Sequence, residues 1–440
     1  MPEESTSEPV SRRSWVSLFA VLFVQTQNSF NDNFVKMVLI GLGLAVAQGT
    51  IVFSVDLGEK IQYILTMLIP IPFILGAPVA GWISDRFSKK QVIVASLIFQ
   101  LAIFILIALA IIQKQVLLAI FGYFLLAVQS TLFSPAKQGI LKELVGSARL
   151  GLANGLMQML SMIGILGGIG IGGWWFDKLL ANLNEANGVG IANAWSAALT
   201  PTIWIGCGCI APLLISMLIQ KTPAHPGKRF EAGVWFRHFE HLGLMFKRKG
   251  LRPVAIRIAL YWLIANFIAL VFVTIGKELF PDAQEGGAAS ATSGMMLFVG
   301  AGLFIGSIVV SVLSRKRIQL RLIPQGAIGM AAGITGVLLF DPASDLFKPS
   351  IGLIGFFSSF LIIPLAAQLQ DLAPEDERGR IISASNLLNS VSGVVAIFVC
   401  NGLDSAGFDS TRQMLVVLLV TLGVVVWTIG YWRSGPSTAS

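Results

Sequence analysis

Residues 14–40 read SWVSLFAVLFVQTQNSFNDNFVKMVLI, an apolar run broken in its second half by Gln25, Gln27, Asn28, Asn31, Asp32, Asn33 and Lys36. As a helix the run is long enough to cross about 30 Å of hydrocarbon. A charged side chain at mid-bilayer costs roughly 2.5–3.5 kcal/mol, and more by some measures, so two of them one turn apart are not there for anchoring. Asn28, Asp32 and Lys36 recur at helical spacing and share one face. That face is expected to look into a polar cavity rather than at lipid, which is the pattern of a transporter.

The rest of the chain extends the same pattern. Of 440 residues, 55% are hydrophobic and 12% charged, whereas soluble domains carry about 25% charged residues. Apolar stretches predict twelve spans, at 14–40, 60–83, 91–112, 116–141, 151–175, 197–219, 254–276, 290–313, 320–340, 350–371, 381–401 and 413–432. The fold class is therefore an all-α membrane protein. The polar start MPEESTSEPVSRR is followed directly by a full-length span, so no secretory signal is read there. The net charge of +8 raises nucleic acid as a partner, but its placement answers differently. With the N-terminus inside, most Lys and Arg fall in or beside cytoplasmic segments. Lys60, Lys114, Lys178, Lys277, Lys348 and Arg412 fall outside, and Lys36 and Lys137 lie within spans. This positive-inside bias predicts both termini in the cytoplasm and needs no nucleic acid. Cys207 and Cys209 form a Cys-x-Cys in an apolar span without His or acid nearby, and Cys400 stands alone. They are expected as small buried hydrophobes, with no metal and no cofactor implied.

The longest polar break, HPGKRFEAGVWFRHFEHLGLMFKRKG at residues 225–250, separates spans six and seven. Phe230, Val234, Trp235, Phe239, Leu242 and Phe246 make one apolar face, with Arg237, His241, Lys247 and Arg248 largely elsewhere. This predicts an amphipathic helix at the cytoplasmic membrane surface, although a calmodulin-like partner site has a similar pattern. The chain accordingly divides into a tail at 1–13, a six-helix half at 14–220, a linker at 221–252, a second six-helix half at 253–433 and a tail at 434–440. A constant offset relates the halves: Arg86 and Arg315, Pro135 and Pro364, and Arg149 and Arg378 are each 229 residues apart. A six-plus-six duplication of this kind places a substrate site at midplane between the halves.

The loop after span two reads GWISDRFSKK. Its Gly81, Asp85, Arg86, Lys89 and Lys90 resemble the loop signature of the major facilitator superfamily, with Ser88 in place of the second glycine. Gly81 permits close helix approach and the basic cluster suits an anionic leaflet. The resemblance implies the major facilitator fold of two pseudo-symmetric six-helix halves. It also implies a gating contact between the halves, with Glu143, Arg149 and Arg378 as further candidates. The second half carries only SRKR at 314–317, without the acid. Within the superfamily the chain is similar to the bacterial lysophospholipid transporters. The similarity rests on SFNDNFVKMVL in span one, FSPAKQGILKEL at 133–144, ANGLMQ at 153–158 and GFFSSFLIIPLAAQLQ at 355–370.

That resemblance implies a flippase. It would move lysophospholipid, chiefly lysophosphatidylethanolamine, from the outer to the inner leaflet of the bacterial inner membrane, acting as a monomer and without a cofactor. Reacylation then falls to a separate acyltransferase and acyl-carrier-protein synthetase, because the chain stops at Ser440. In the superfamily spans one, four, seven and ten line the cavity, which points to Asn28, Asp32, Asn33 and Lys36, Lys137, Tyr261 and Asn266, and Gln368. Asn154 and Gln158 on span five, and Asn386 and Asn389 on span eleven, add polar amides that serve equally as interhelical contacts. Asp32 is expected to pair with Lys36 or Lys137 in one state and to release it to lipid phosphate in another. Span seven reads uncharged over ALYWLIANFIALVFVTIG, where some family members have a basic residue, so headgroup recognition is expected to differ there. The glycines of span five (Gly164, Gly167, Gly168, Gly170, Gly172 and Gly173) predict a close packing surface. A proton-coupled small-solute transporter with Asp32 as the proton site is the alternative. An enzyme is disfavoured, since His225, His238 and His241 all lie in the linker.

Overall fold

A computed structural model of the chain describes residues 11–47, 51–52, 55–224, 233, 238–279 and 288–433. Among the described residues, twelve helices are long and apolar enough to cross a membrane: Arg12–Val46, Ile64–Arg86, Lys89–Ile112, Val116–Val145, Ser147–Asn187, Ile191–Ser216, Leu251–Gly276, Gly294–Leu313, Leu322–Leu339, Phe347–Leu372, Arg378–Ser405 and Ser410–Gly430. They are called spans one to twelve in that order, and each coincides with an expected one. The expected proline pair is also in place, Pro135 inside span four and Pro364 inside span ten.

Three departures have local causes. Span two is two helices, Leu57–Leu68 and Pro70–Arg86, joined at Ile69; Pro70 has no N–H to continue the ladder and starts a new helix instead. Span six is divided at Cys209 between Ile191–Gly208 and Ile210–Ser216. The main helix of span five continues to Asn187, well past residue 175. Its 38 residues rise about 57 Å at 1.5 Å each, more than the hydrocarbon requires. The extension is polar enough to read as loop, but Leu179, Leu180 and Leu183 pack against the core of the first half and keep it helical. Between spans one and two, Ile51–Val52 pairs antiparallel with Val55–Asp56.

Each half has its own apolar core. In the first half one cluster gathers around Phe34, Ile107 and Phe176, and a second around Leu18, Phe133 and Ile140 reaches across to Ala367 of span ten. In the second half a single cluster runs through Phe272, Met330 and Ile351. Between halves, span two packs on span eleven and span five on span eight, the same pairing with the halves exchanged.

Close approach inside each half depends on glycine. A Cβ on Gly164, Gly168 or Gly172 would collide with the span-one backbone at Thr26, Phe30 or Phe34 respectively. These three, one turn apart, carry the packing surface expected of span five. Gly170 faces open space and is not part of it. Van der Waals fit drives helix association in lipid, so small residues at such contacts stabilise it directly.

The linker contributes a helix, His238–Lys247, packed against spans seven and eleven. Residues 225–232 and 234–237, which include Phe230, Val234, Trp235 and Arg237, lie outside the described residues. Leu242, Met245 and Phe246 turn onto the core of the second half rather than onto lipid, and His241, expected on the polar face, is buried. Protein was the nearer apolar surface. Cys207 also differs from expectation: it is exposed, while Cys209 and Cys400 are buried.

Replacing Gly168 by Leu forces spans one and five apart and is expected to cost at least about 1–3 kcal/mol as overpacking. Gly170→Leu should be near neutral. Thermal midpoints of the two purified variants in detergent, compared with the parent, check this.

Candidate functional site

A cavity of about 190 Å³ lies between the halves. The first half gives it a polar wall of Gln25, Lys137, Gln138, Asn154, Gln158 and Ser161. Spans seven and ten supply Ile258, Trp262, Ile362, Ile363, Ala366 and Leu369, and span eleven adds Ser385, Asn386 and Asn389. One side is thus amide, hydroxyl and ammonium, and the facing side is largely aliphatic.

Lys137 is the one formal charge among these lining residues. Its Nζ donates to Gln25 Oε1 at 2.8 Å and sits 5.1 Å from the Phe133 ring centroid. An ammonium carries three donors, so it has capacity left for an anionic ligand. Gln25 in turn donates to Ser29 Oγ at 2.8 Å and Ser161 Oγ at 2.9 Å, tying spans one, four and five at the cavity wall. On the other side Asn389 accepts from Trp262 Nε1 at 3.1 Å and donates to Ser385 O at 3.0 Å, in the amide orientation its neighbours require.

Asp32 lies off this cavity in a second polar cluster. Its Oδ2 accepts from Ser130 Oγ at 2.8 Å and from Asn28 Nδ2 at 3.1 Å. Asn28 Oδ1 accepts from Gln100 at 3.1 Å and Gln129 at 3.3 Å, so the cluster joins spans one, three and four. The helical spacing that placed Asn28 beside Asp32 is realised as a hydrogen bond. In this conformation Asp32 faces these neutral partners, and Lys137 faces Gln25.

Below the cavity the halves close on each other at the end that carries the Gly81–Lys90 loop. Asp85, fully buried, accepts from the backbone N–H of Gly379 at 2.6 Å and of Arg380 at 3.2 Å, and from Arg380 Nε at 3.2 Å. It therefore caps the N-terminus of span eleven from the opposite half, where unpaired N–H groups and the helix dipole favour an anion. A Cβ on Gly81 would come within 2.9 Å of Arg380 Cα, so only glycine admits this approach. Glu143 is shared by Lys89 at 3.2 Å and Arg378 at 3.5 Å, all three nearly inaccessible. Lys142 pairs with Asp371 at 2.8 Å, and Ser147 also bonds Asp371. On the pseudo-symmetric side Ser314 of the SRKR stretch packs against Gly151.

The sequence model of the Major Facilitator Superfamily matches residues 16–397. The chain belongs to that superfamily. Among its relatives is a lysophospholipid transporter of Photorhabdus laumondii, 26% identical over 437 residues that cover 98% of this chain and 94% of the relative. Another is the lysophospholipid transporter of Salmonella typhimurium, 27% identical over 378 residues, 84% of each chain. Solved structures share the fold at low identity. The fucose:proton symporter of E. coli superimposes with a TM-score of 0.73 at 14% identity, covering 95% of this chain and 99% of that one. A human organic anion transporter gives 0.69 at 11%, covering 94% and 99%.

As a major facilitator chain it places the expected residues unevenly. Lys137, Asn154, Gln158, Asn386 and Asn389 line the cavity. Asn28, Asp32, Asn33, Lys36, Tyr261, Asn266 and Gln368 do not. Asn33 and Asn266 are satisfied within their own helices by Ser29 O and Trp262 O, and Tyr261 is buried in the core of the second half. Of the loop residues, Gly81, Asp85 and Lys89 meet groups at the closed end, together with Glu143 and Arg378. Arg86 stacks between Trp82 and Phe87, and Lys90 donates to Met217 O at 2.8 Å within the first half. Arg149 lies in the 3-10 turn Ser147–Arg149, where Ser147 is the residue that crosses. Span seven also corrects the sequence reading, which treats the span as uncharged on residues 259–276 alone: Arg257, inside the expected 254–276, is in the helix, buried and 5.1 Å from the Trp427 ring centroid. The residues missed were Gln25, Ser130, Trp262, Asp371 and Arg380. One had a signal, because Lys142 and Asp371 are separated by the same 229 residues as the repeat.

Glu143→Ala leaves Lys89 and Arg378 buried together without a counter-charge. Breaking such a buried ionic group is expected to cost about 3–5 kcal/mol, read as a large fall in thermal midpoint. Glu143→Asp should recover part of it.

Proposed function

We infer that this chain is an alternating-access transporter of lysophospholipids. The reading is carried by a cavity that sets one ammonium, Lys137, hydrogen-bonded to a neutral amide, and a bank of amides against an aliphatic wall. Relatives named as lysophospholipid transporters along nearly the whole chain support it. An amphiphile with a phosphate and one acyl chain matches both walls. The phosphate takes the Lys137 ammonium from Gln25 Oε1, since a hydrogen bond between two charged groups is roughly twice as strong as one with a neutral partner. Trp262, Asn386 and Asn389 approach the same headgroup from the second half, so one ligand engages both halves, as alternating access requires.

Asp32 stands seven residues beyond Gln25 on span one, about 10 Å along the helix axis. Its carboxylate is the nearest candidate for a headgroup ammonium, reached when Ser130 and Asn28 give it up. The positive-inside distribution orients the closed end toward the cytoplasm, with both termini there. Transport then runs from the outer to the inner leaflet of a bacterial inner membrane, and the product is a substrate for a separate acyl-transfer reaction.

Reconstituted protein should flip labelled lysophosphatidylethanolamine and not the diacyl lipid. Lys137→Gln should lower the rate about tenfold or more, the scale of one hydrogen bond to a charged group, with Lys137→Arg partly active. Asp32→Asn should also lose flipping, and undiminished rates in that variant would remove Asp32 from the mechanism. Movement of neither lipid by the parent protein would favour a small-solute substrate.

A further inference from the structure

Asn154 on span five and Gln370 on span ten form a reciprocal amide pair across the halves. Asn154 Nδ2 donates to Gln370 Oε1 at 3.1 Å, and Gln370 Nε2 donates to Asn154 Oδ1 at 2.9 Å. Asn154 is 8% exposed and Gln370 1%. Asn154 lines the cavity, whereas Gln370 does not. Three consecutive residues of span ten mark the way down: Leu369 lines the cavity, Gln370 makes the amide pair, and Asp371 binds Lys142 and Ser147 at the closed end. The amide pair is therefore the layer between the cavity and the ionic contacts.

We propose that the Asn154–Gln370 pair is a phosphate-sensitive latch, through which a ligand in the cavity releases the closed end. The inference rests on the lysophospholipid reading above. Both donors of the Asn154 amide are occupied, one by Leu150 O at 2.9 Å in its own helix and the other by Gln370. A phosphate entering at Lys137 offers charged acceptors to a donor now held by a neutral carbonyl oxygen, and the charged acceptor wins. Gln370 Oε1 then loses its donor, and turning the Asn154 amide toward the phosphate carries Oδ1 away from Gln370 Nε2 as well. A buried amide left without partners is strongly disfavoured, and separating the halves lets water reach it. The latch thus converts occupancy by a phosphate into opening toward the Gly81–Lys90 end. The ionic contacts below have no side chain in the cavity except through this layer.

The test measures the distance between spin labels at Phe87→Cys and Lys316→Cys, both exposed and on opposite halves, in a Cys207→Ser background in proteoliposomes. Without ligand, Asn154→Leu and Gln370→Met should each raise the separated population about fivefold or more, the factor for 1–2 kcal/mol. The double variant should return to the closed distance, since replacing both partners by apolar groups of similar shape is nearly neutral. Lysophosphatidylglycerol should open the parent, monoacylglycerol of the same chain length should not, and the double variant should answer neither. Unchanged distances in both single variants would overturn the proposal. So would a double variant that opens with lysophosphatidylglycerol as the parent does, or a parent that opens equally with monoacylglycerol. Flipping by the same parent proteoliposomes is recorded alongside. A parent that flips lysolipid without a distance response overturns the latch alone. A parent that does not flip overturns the lysophospholipid reading, and the ligand-free variants still decide whether the pair holds the closed end.

Discussion

The Asp85 carboxylate, buried at the N-terminus of span eleven, is the contact on which the closed arrangement depends. Buried between the halves and away from water, a helix end with free N–H groups must find acceptors inside the protein. Here the acceptor belongs to the other half, so the two halves satisfy each other only while they are together. Gly81, one turn before, removes the side chain that would hold the helices apart. The shared Glu143 and the Lys142–Asp371 pair then lie close enough to form around that point. Each of these contacts is modest or costly in isolation. Together they hold the two halves in contact at this end in the present conformation.

Above that end the bundle separates two kinds of polar group. Asp32 is enclosed in neutral hydrogen bonds within the first half. Lys137 faces the cavity with spare donors and a neutral partner. The two unlike charges thus keep separate hydrogen-bond partners in this conformation. The aliphatic wall from spans seven and ten gives the same ligand a place for its chain. The cleft thus has its ammonium and most of its amides on the first half, and on the second half an aliphatic stretch from spans seven and ten beside the amides of span eleven.

Much of the fold was legible because the bilayer imposes length and composition on each span. All twelve were readable, as was the packing role of Gly164, Gly168 and Gly172, since glycines one turn apart on one helix leave a flat face. The breaks in spans two and six, and the helical extension of span five, were less legible because they depend on neighbours such as Leu179 packing on a distant core. The site was legible in part. Lys137, Asn154, Gln158, Asn386 and Asn389 announced themselves as polar groups in apolar helices. Gln25 was legible as a polar break in span one but not as a site residue, and Trp262 did not stand out, since an amide or an indole on a span has ordinary uses; Arg257 was passed over near the end of its helix.

The sequence by itself determined the medium, the number of spans, the duplication and the short inventory of charges that hydrocarbon would not otherwise tolerate. Those follow from transfer free energies and periodicity, which act residue by residue. Which of those charges meet was decided only in three dimensions. Asp32 and Lys36 are neighbours in the helix, yet Asp32 binds Ser130, 98 residues away in the chain. Asn154 finds Gln370 at a separation of 216 residues. A side chain's partner depends on helix rotation and on the close approaches that glycines permit, and neither is written in the local pattern of any one span.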